Sequence, residues 1–334
     1  MFINPKTVVM KETVLVSGGA GYIGSILVRL LLGKGYRVKV LDSLMFGGVP
    51  VIDLLNDDDF LFIKGDVRSE ADLRHALEGV DHVVHLAAIV GDPACAKQPD
   101  LAREINLEGS RRTYDLADEL GVKRFVFAST CSNYGKMEDP ESFVDETSTL
   151  APVSLYAETK VAVEQYLLGQ PRSNRCKPIS LRFSTVYGLS PRPRFDLTVN
   201  EFTKELALGR ELVVFGEQFW RPYCHVVDLC RSVLAVLEAE EDKVAFDVFN
   251  VGDTRENYQK QMIVDEILKQ LPESRIRYVA KNEDPRDYRV SFEKIKNRLG
   301  FSITKTVPDG IRQIIQVVRD GFIPDPDTKE YRNS

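Results

Sequence analysis

Apolar positions ahead of Cys131 gather into short, nearly unbroken runs. Each run ends on a small or acidic residue and is followed by a stretch of helical period. Val14-Leu15-Val16 opens the series, and 36–41, 60–67, 80–88 and 125–130 continue it. Runs without polar alternation belong to strands covered on both faces, and covered strands joined through helices pair in parallel. The pattern therefore predicts an α/β chain with a doubly wound parallel sheet. Ligands of such sheets lie beyond the carboxyl ends of the strands, where Asp42, Asp66, Ala87 and Thr130 fall. Helical spacing follows the first run at Ile26, Leu27, Leu30 and Leu31, and is read again over 69–78, 99–120 and 153–168.

Beyond Pro191 the alternation lapses. Residues 190–196, rich in Pro and Arg, read as a loop, and helices over 199–208 and 258–271 do not continue a simple order. Residues 246–251 read as one more buried strand. A smaller C-terminal lobe is expected, interleaved with the sheet through that strand.

The chain of 334 residues is long enough for a sizeable core, and 43% hydrophobic with 28% charged residues is ordinary for a globular protein. A net charge of −6 argues against a nucleic-acid surface, so an anionic substrate would need a local basic pocket. No apolar stretch reaches the roughly 18 residues that span a bilayer, and the start, residues 1–6, lacks the apolar core of a signal peptide. The five cysteines, Cys95, Cys131, Cys176, Cys224 and Cys230, include no C-x-x-C pair, which fits a reducing cytoplasm. His75, His82 and His85 are too scattered to suggest a metal site, and His225 is expected to be structural.

Chemistry enters with the glycines. Gly18, Gly21 and Gly24 stand at G-x-x-G-x-x-G spacing between the first strand and the first helix. That is the turn that cradles a dinucleotide pyrophosphate at a helix N-terminus. Asp42 ends the next strand, on the far side of the helix that Gly24 opens. An acid there accepts from both adenosine ribose hydroxyls and repels a 2′-phosphate, favouring NAD over NADP. Asp66 is a candidate for the adenine amine, or a cap for the helix that follows. Tyr22, Ile23, Val67, Leu86, Ala87 and Ala88 complete the expected cofactor wall.

Tyr156 and Lys160 lie four apart in a helical segment and so share one face. An ammonium beside a phenol favours phenolate and lowers its pKa, which would let Tyr156 take a hydroxyl proton while hydride leaves the same carbon.

With these residues the chain resembles the extended short-chain dehydrogenases/reductases that act on nucleotide sugars. The resemblance covers nearly the whole chain. It includes the glycine turn, His85-Leu86-Ala87-Ala88, Asn106-Leu107-Glu108-Gly109, Ser129-Thr130-Cys131-Ser132-Asn133-Tyr134-Gly135, Tyr156 with Lys160, the run from Leu181 to Gly188, and Asp284-Pro285-Arg286-Asp287. It implies an NAD-binding Rossmann domain over 1–188 with a returning segment at about 222–252, and a substrate-binding lobe from 189–221 and 253–334. It implies that Tyr156 is the base, Lys160 its partner and Thr130 the donor to the reacting sugar oxygen. It further implies that Asn106 belongs to the cofactor pocket, and that Arg221 and Arg286 clamp a nucleotide diphosphate. A homodimer built on two helices per subunit, over 103–120 and 153–168, is expected on the same ground.

Two departures from that pattern matter. The family's 4,6-dehydratases carry Asp-Glu after the catalytic Thr, whereas Cys131 and Ser132 stand here, which disfavours dehydration. Thr185 replaces the family's usual Asn near Arg182. The stretch 190–200 is similar to enzymes that oxidise C4 of nucleotide-linked sugars, with Arg192, Arg194 and Asn200 as candidate substrate contacts beside Cys131, Ser132 and Thr185. A nucleotide-sugar 4-epimerase is the leading reading, a 4-dehydrogenase or keto-sugar reductase the alternative, and a non-catalytic NAD-sensing regulator the third.

Overall fold

The computed structural model describes residues 11–137, 139, 142–280 and 286–333. Residues 1–6 and the Asp284-Pro285 pair of the family motif lie outside them. Twelve strands are described: β1 (Thr13–Ser17), β2 (Arg37–Asp42), β3 (Phe60–Lys64), β4 (His82–His85), β5 (Arg124–Thr130), β6 (Lys177–Phe183), β7 (Thr185–Tyr187), β8 (Leu212–Phe215), β9 (Trp220–His225), β10 (Asp247–Val251), β11 (Asn257–Gln259) and β12 (Ile276–Val279). Seven of them form one sheet in the order β10-β6-β5-β4-β1-β2-β3, every pair parallel. The order turns back between β1 and β4, which is where such a sheet opens a crevice.

Successive residues on each strand feed opposite faces. Val14 and Val16 pack with Leu27, Val28 and Leu31 of the helix Gly24–Gly33 and with Leu229, Val233 and Phe249. Leu15, between them, packs on the other side with Leu73, Leu77, Val83, Phe125 and Val163. Two covered faces explain why the strands read as unbroken apolar runs.

The structure departs from the pattern in several places. β3 stops at Lys64 rather than running to Val67. β4 stops at His85 rather than running to Ala88; the Leu86 nitrogen makes the last bond of the ladder, to the Ser17 carbonyl at 3.0 Å, and Ala87 and Ala88 then line the cleft. The helix expected over 99–120 is Pro99–Arg103, a π-helical turn Glu104–Gly109, and Ser110–Glu119. The segment 258–271 begins as β11 and turns helical at Lys260–Gln270. Past β6, β9 pairs with β7 in parallel and with β11 in antiparallel, and β8 pairs with β12. Tyr187, Val199, Phe202, Val214, Ile263 and Ile311 form a separate apolar cluster there.

Candidate active site

The carboxyl ends of β1, β2, β4 and β5 open into one cleft. Gly18, at φ +76°, leaves only 2.9 Å between a hypothetical Cβ and the Ala87 nitrogen. A Cβ on Gly24 would stand 2.3 Å from the Gly18 carbonyl oxygen. Neither place admits a side chain, and the turn is thereby held tight against the start of the helix Gly24–Gly33, whose first residue lines the cleft. Gly21, Tyr22 and Ile23 line the same wall.

Asp42 lines it too, its two carboxylate oxygens accepting from the Ala20 nitrogen at 3.0 Å and the Leu44 nitrogen at 2.8 Å. Burial raises this carboxyl above its usual range. Asp66 and Val67 stand opposite. Arg68, 2.7 Å from Asp66, holds that carboxyl below the usual range. Asp66 is not the helix cap: Ser69 takes that place, accepting from the Asp72 nitrogen at 3.2 Å. Leu86, Ala87 and Ala88 complete this end.

Thr130, Tyr156 and Lys160 converge at the other end of the cleft. The helix Leu155–Leu168 starts on Ser154, whose hydroxyl accepts from the Ala157 nitrogen at 3.3 Å and donates to Asp92 at 2.7 Å. Lys160 donates to the Ala128 carbonyl at 2.8 Å, with its ammonium 4.7 Å from the centre of the Phe127 ring and 5.9 Å from that of Tyr156. Burial lowers its pKa to about 8. Burial also pushes the Tyr156 phenol up; Cys95 adds to the rise and Arg194 opposes it. The lowering expected from the neighbouring ammonium is not seen: desolvation of the phenolate dominates, and the Lys160 ammonium is bonded to the Ala128 carbonyl instead. Thr130 Oγ1 accepts from the Ser132 nitrogen at 3.1 Å, which leaves its O–H to donate. Beneath this end Arg182 pairs with Glu164 at 2.5 Å, both buried, and Glu164 accepts from Ser129 at 2.8 Å.

Several expected site residues do not line the cleft. Asn106 is buried with its amide spent on Ile89, accepting from its nitrogen at 2.8 Å and donating to its carbonyl at 3.0 Å, so it shapes the wall from behind. Asn200 holds the Gly188 nitrogen and carbonyl at 2.9 and 3.1 Å and the Arg194 carbonyl at 2.9 Å. Cys131 donates to the Arg182 carbonyl at 3.2 Å, and burial pushes its thiol up, away from thiolate chemistry. Ser132 lies 3.4 Å from the Tyr288 hydroxyl, and Thr185 sits in β7 beside Tyr223. Arg221 donates to the Trp220 carbonyl at 2.6 Å and lies over the Tyr288 ring, while Arg286 meets Asp92 at 2.8 Å.

Arg194 does line the cleft, paired with Asp196 at 2.7 Å. Met45, Phe46, Ile89 and Asn333 line it as well and were not foreseen; the apolar pair Met45-Phe46 beside Gly47-Gly48, just past the strand-ending acid, was the available signal. Among the described residues no three His, Cys, Asp or Glu groups stand close enough to hold a metal ion. His85 is buried between Ser17 and Ser110 at 2.9 and 3.0 Å, and burial lowers it to about 3. His225 accepts from the Val227 nitrogen at the start of the helix Val226–Glu238.

A glycine cradle closed to any Cβ and an acid at the ribose position fit a dinucleotide without a 2′-phosphate. The comparisons agree. The model of the NAD dependent epimerase/dehydratase family matches residues 14–252. The dTDP-glucose 4,6-dehydratase of Streptomyces niveus is 30% identical over 92% of this chain and 93% of its own. The UDP-glucose 4-epimerase of Halalkalibacterium halodurans is 29% identical over 86% of this chain and 90% of its own. Among solved structures, the Thermus thermophilus UDP-glucose 4-epimerase in complex with NAD superposes with a TM-score of 0.78 at 27% identity, covering 92% of this chain and 99% of that one. The Streptomyces venezuelae dTDP-glucose 4,6-dehydratase with NAD bound gives 0.81 at 27% identity, over 93% and 98%. The chain belongs to the NAD-dependent epimerase/dehydratase family of extended short-chain dehydrogenases/reductases, and is an enzyme whose cofactor is NAD. No helix among the described residues is long and apolar enough to cross a membrane.

Proposed function

We propose that the enzyme interconverts C4 epimers of a nucleoside-diphosphate sugar through a transient 4-keto sugar. Bound in the cleft, NAD supplies the hydride acceptor and, on return, the hydride donor. Tyr156 takes the C4 hydroxyl proton and gives it back, Thr130 donates a hydrogen bond to the same oxygen, and Lys160 provides the cation that favours phenolate. A keto sugar that turns over before reduction needs no further acid or base. The observation that carries this reading over dehydration is the composition of the cleft. Its only carboxylates among the described residues are Asp42 and Asp66, both at the glycine end, and Cys131 beside Thr130 is buried and held protonated. Dehydration would ask for an acid and a base beside Thr130.

The specific sugar and base are read by experiment. UDP-, GDP-, dTDP- and CDP-hexoses are incubated with the enzyme and followed by mass spectrometry and NMR. The expected product has unchanged mass and inverted C4. Loss of two hydrogens assigns a 4-dehydrogenase instead, and loss of water refutes both. Tyr156→Phe is expected to abolish turnover and retain NAD, which separates an enzyme from a sensor. Family resemblance supports a homodimer that pairs through the helical segments over 103–120 and 153–168, in the cytoplasm.

A further inference from the structure

The loop 190–196 is fastened directly onto the glycine turn. Ser190 Oγ donates to the Tyr22 carbonyl at 2.7 Å and lies 3.0 Å from Ser25 Oγ, and the Tyr22 hydroxyl donates to the Gly188 carbonyl at 2.6 Å. Two residues past this fastening, Arg192 lines the cleft while only 5% exposed. Its guanidinium lies 3.8 Å from the centre of the Phe46 ring, and one of its terminal nitrogens donates to the Arg332 carbonyl at 3.2 Å. Its Nε is buried and has no partner. Among the described residues no carboxylate comes within ion-pair distance of it, whereas Arg194 is neutralised by Asp196. Burial and the charge of Arg194 beside it lower Arg192 to about 10; the carboxylates of Asp196 and Asp42 act on it from a distance and offset only part of that.

A buried guanidinium with an unpartnered Nε and no carboxylate paired to it is costly, so a cleft that keeps one is built for an anion. The planar fork of an arginine matches phosphate oxygens. The anion that the adjoining glycine turn receives is the dinucleotide pyrophosphate. We infer that Arg192 is a ligand of the cofactor pyrophosphate, added to the glycine turn and held in place by Phe46 and the 329–333 segment. That segment is tied to the loop at two further points: the Phe195 nitrogen donates to the Tyr331 carbonyl at 2.9 Å, and the Asn333 nitrogen to Asp196 at 3.0 Å. The sequence suggested a substrate contact for Arg192; the fastening to the glycine turn redirects it to the cofactor. The inference rests on NAD occupying this cleft and not on which sugar reaction follows.

Calorimetric titration of enzyme freed of nucleotide, with NAD, ADP and adenosine as probes, tests it. Arg192→Met is expected to weaken NAD and ADP by about tenfold to a hundredfold, the loss of a charge-assisted bond, and to leave adenosine unchanged. Arg192→Lys is expected to recover part of the loss. Circular dichroism and melting check the fold; should Arg192→Met not fold, Arg192→Gln, which keeps a donor for the Arg332 carbonyl, carries the same comparison. NAD affinity within twofold of the parent, or adenosine weakened as much as ADP, overturns the inference. Parent enzyme that binds NAD but epimerises no sugar refutes the proposed reaction and leaves this inference standing; folded parent that takes up no NAD overturns both.

Discussion

Lys160 carries the most consequential charge in the site. Its folded pKa of about 8 lies below the ordinary lysine value of 10.5 because its ammonium is buried. Between those two values the unfolded chain binds more protons than the folded one, so this group makes stability rise with pH across that window. Below pH 8 the protonated lysine is a standing cost to the cofactor-free fold. Lys160→Met is therefore expected to flatten the rise in melting temperature between pH 8 and 10.5 relative to the parent. It also removes the donor to the Ala128 carbonyl, a loss that does not depend on pH, so the slope is the clean readout. Identical slopes in parent and variant, measured by thermal melts at half-unit pH steps, would contradict the assignment. The same burial explains why the Tyr156 phenol is raised rather than lowered: both partners of the pair are desolvated together, and each disfavours its charged form.

At the scale of elements, the glycine turn is set by backbone contacts and not by side-chain preference. A Cβ on Gly24 would meet the Gly18 carbonyl oxygen at 2.3 Å and the Gly19 Cα at 2.6 Å, and neither neighbour is the end of a flexible side chain. Gly33, at the far end of the same helix, has nothing within 4 Å of that position. Gly24→Ala is expected to abolish measurable NAD binding and to destabilise by about 1–3 kcal/mol. Gly33→Ala is expected to bind NAD normally and to stabilise by about 0.4–1 kcal/mol. Titration and denaturant melts of the two variants check the contrast. This turn was legible in the sequence because strand, glycines, helix and acid all lie between Val14 and Asp42, and local pattern suffices there. The π-helical turn Glu104–Gly109 was not, since a single short turn is too brief for periodicity to separate it from the α-helices on either side. Nor were the roles of Asn106 and Asn200: a side chain that holds another segment's backbone has the same sequence signature as one that holds a ligand. Asn333 reaches the cleft from the far end of the described chain, which no local spacing announces.

At the scale of the whole molecule, the chain leaves the main sheet after β6 and comes back to it. β10 pairs with β6 from Asp247 opposite Ile179 to Val251 opposite Phe183, and so covers an edge that would otherwise present unpaired backbone groups. Leu229, Val233 and Phe249 fill the face that Val14, Val16 and Leu27 open. Arg124, in β5, donates to the carbonyls of Val236, Leu237 and Ala239, which closes the end of the returning helix Val226–Glu238. With a core assembled from both ends of this excursion, the chain up to Gly188 is expected to be insufficient on its own, despite carrying the glycine turn, Tyr156 and Lys160. Calorimetry of the intact chain is expected to show one transition with equal calorimetric and van't Hoff enthalpies. A fragment of residues 11–188 is expected to show no cooperative melt and no NAD binding, because half of one sheet face and the β6 edge are left bare. Two resolved transitions, or a fragment that melts cooperatively and binds NAD, would show instead that the returning segment is an addition to a sheet already complete without it.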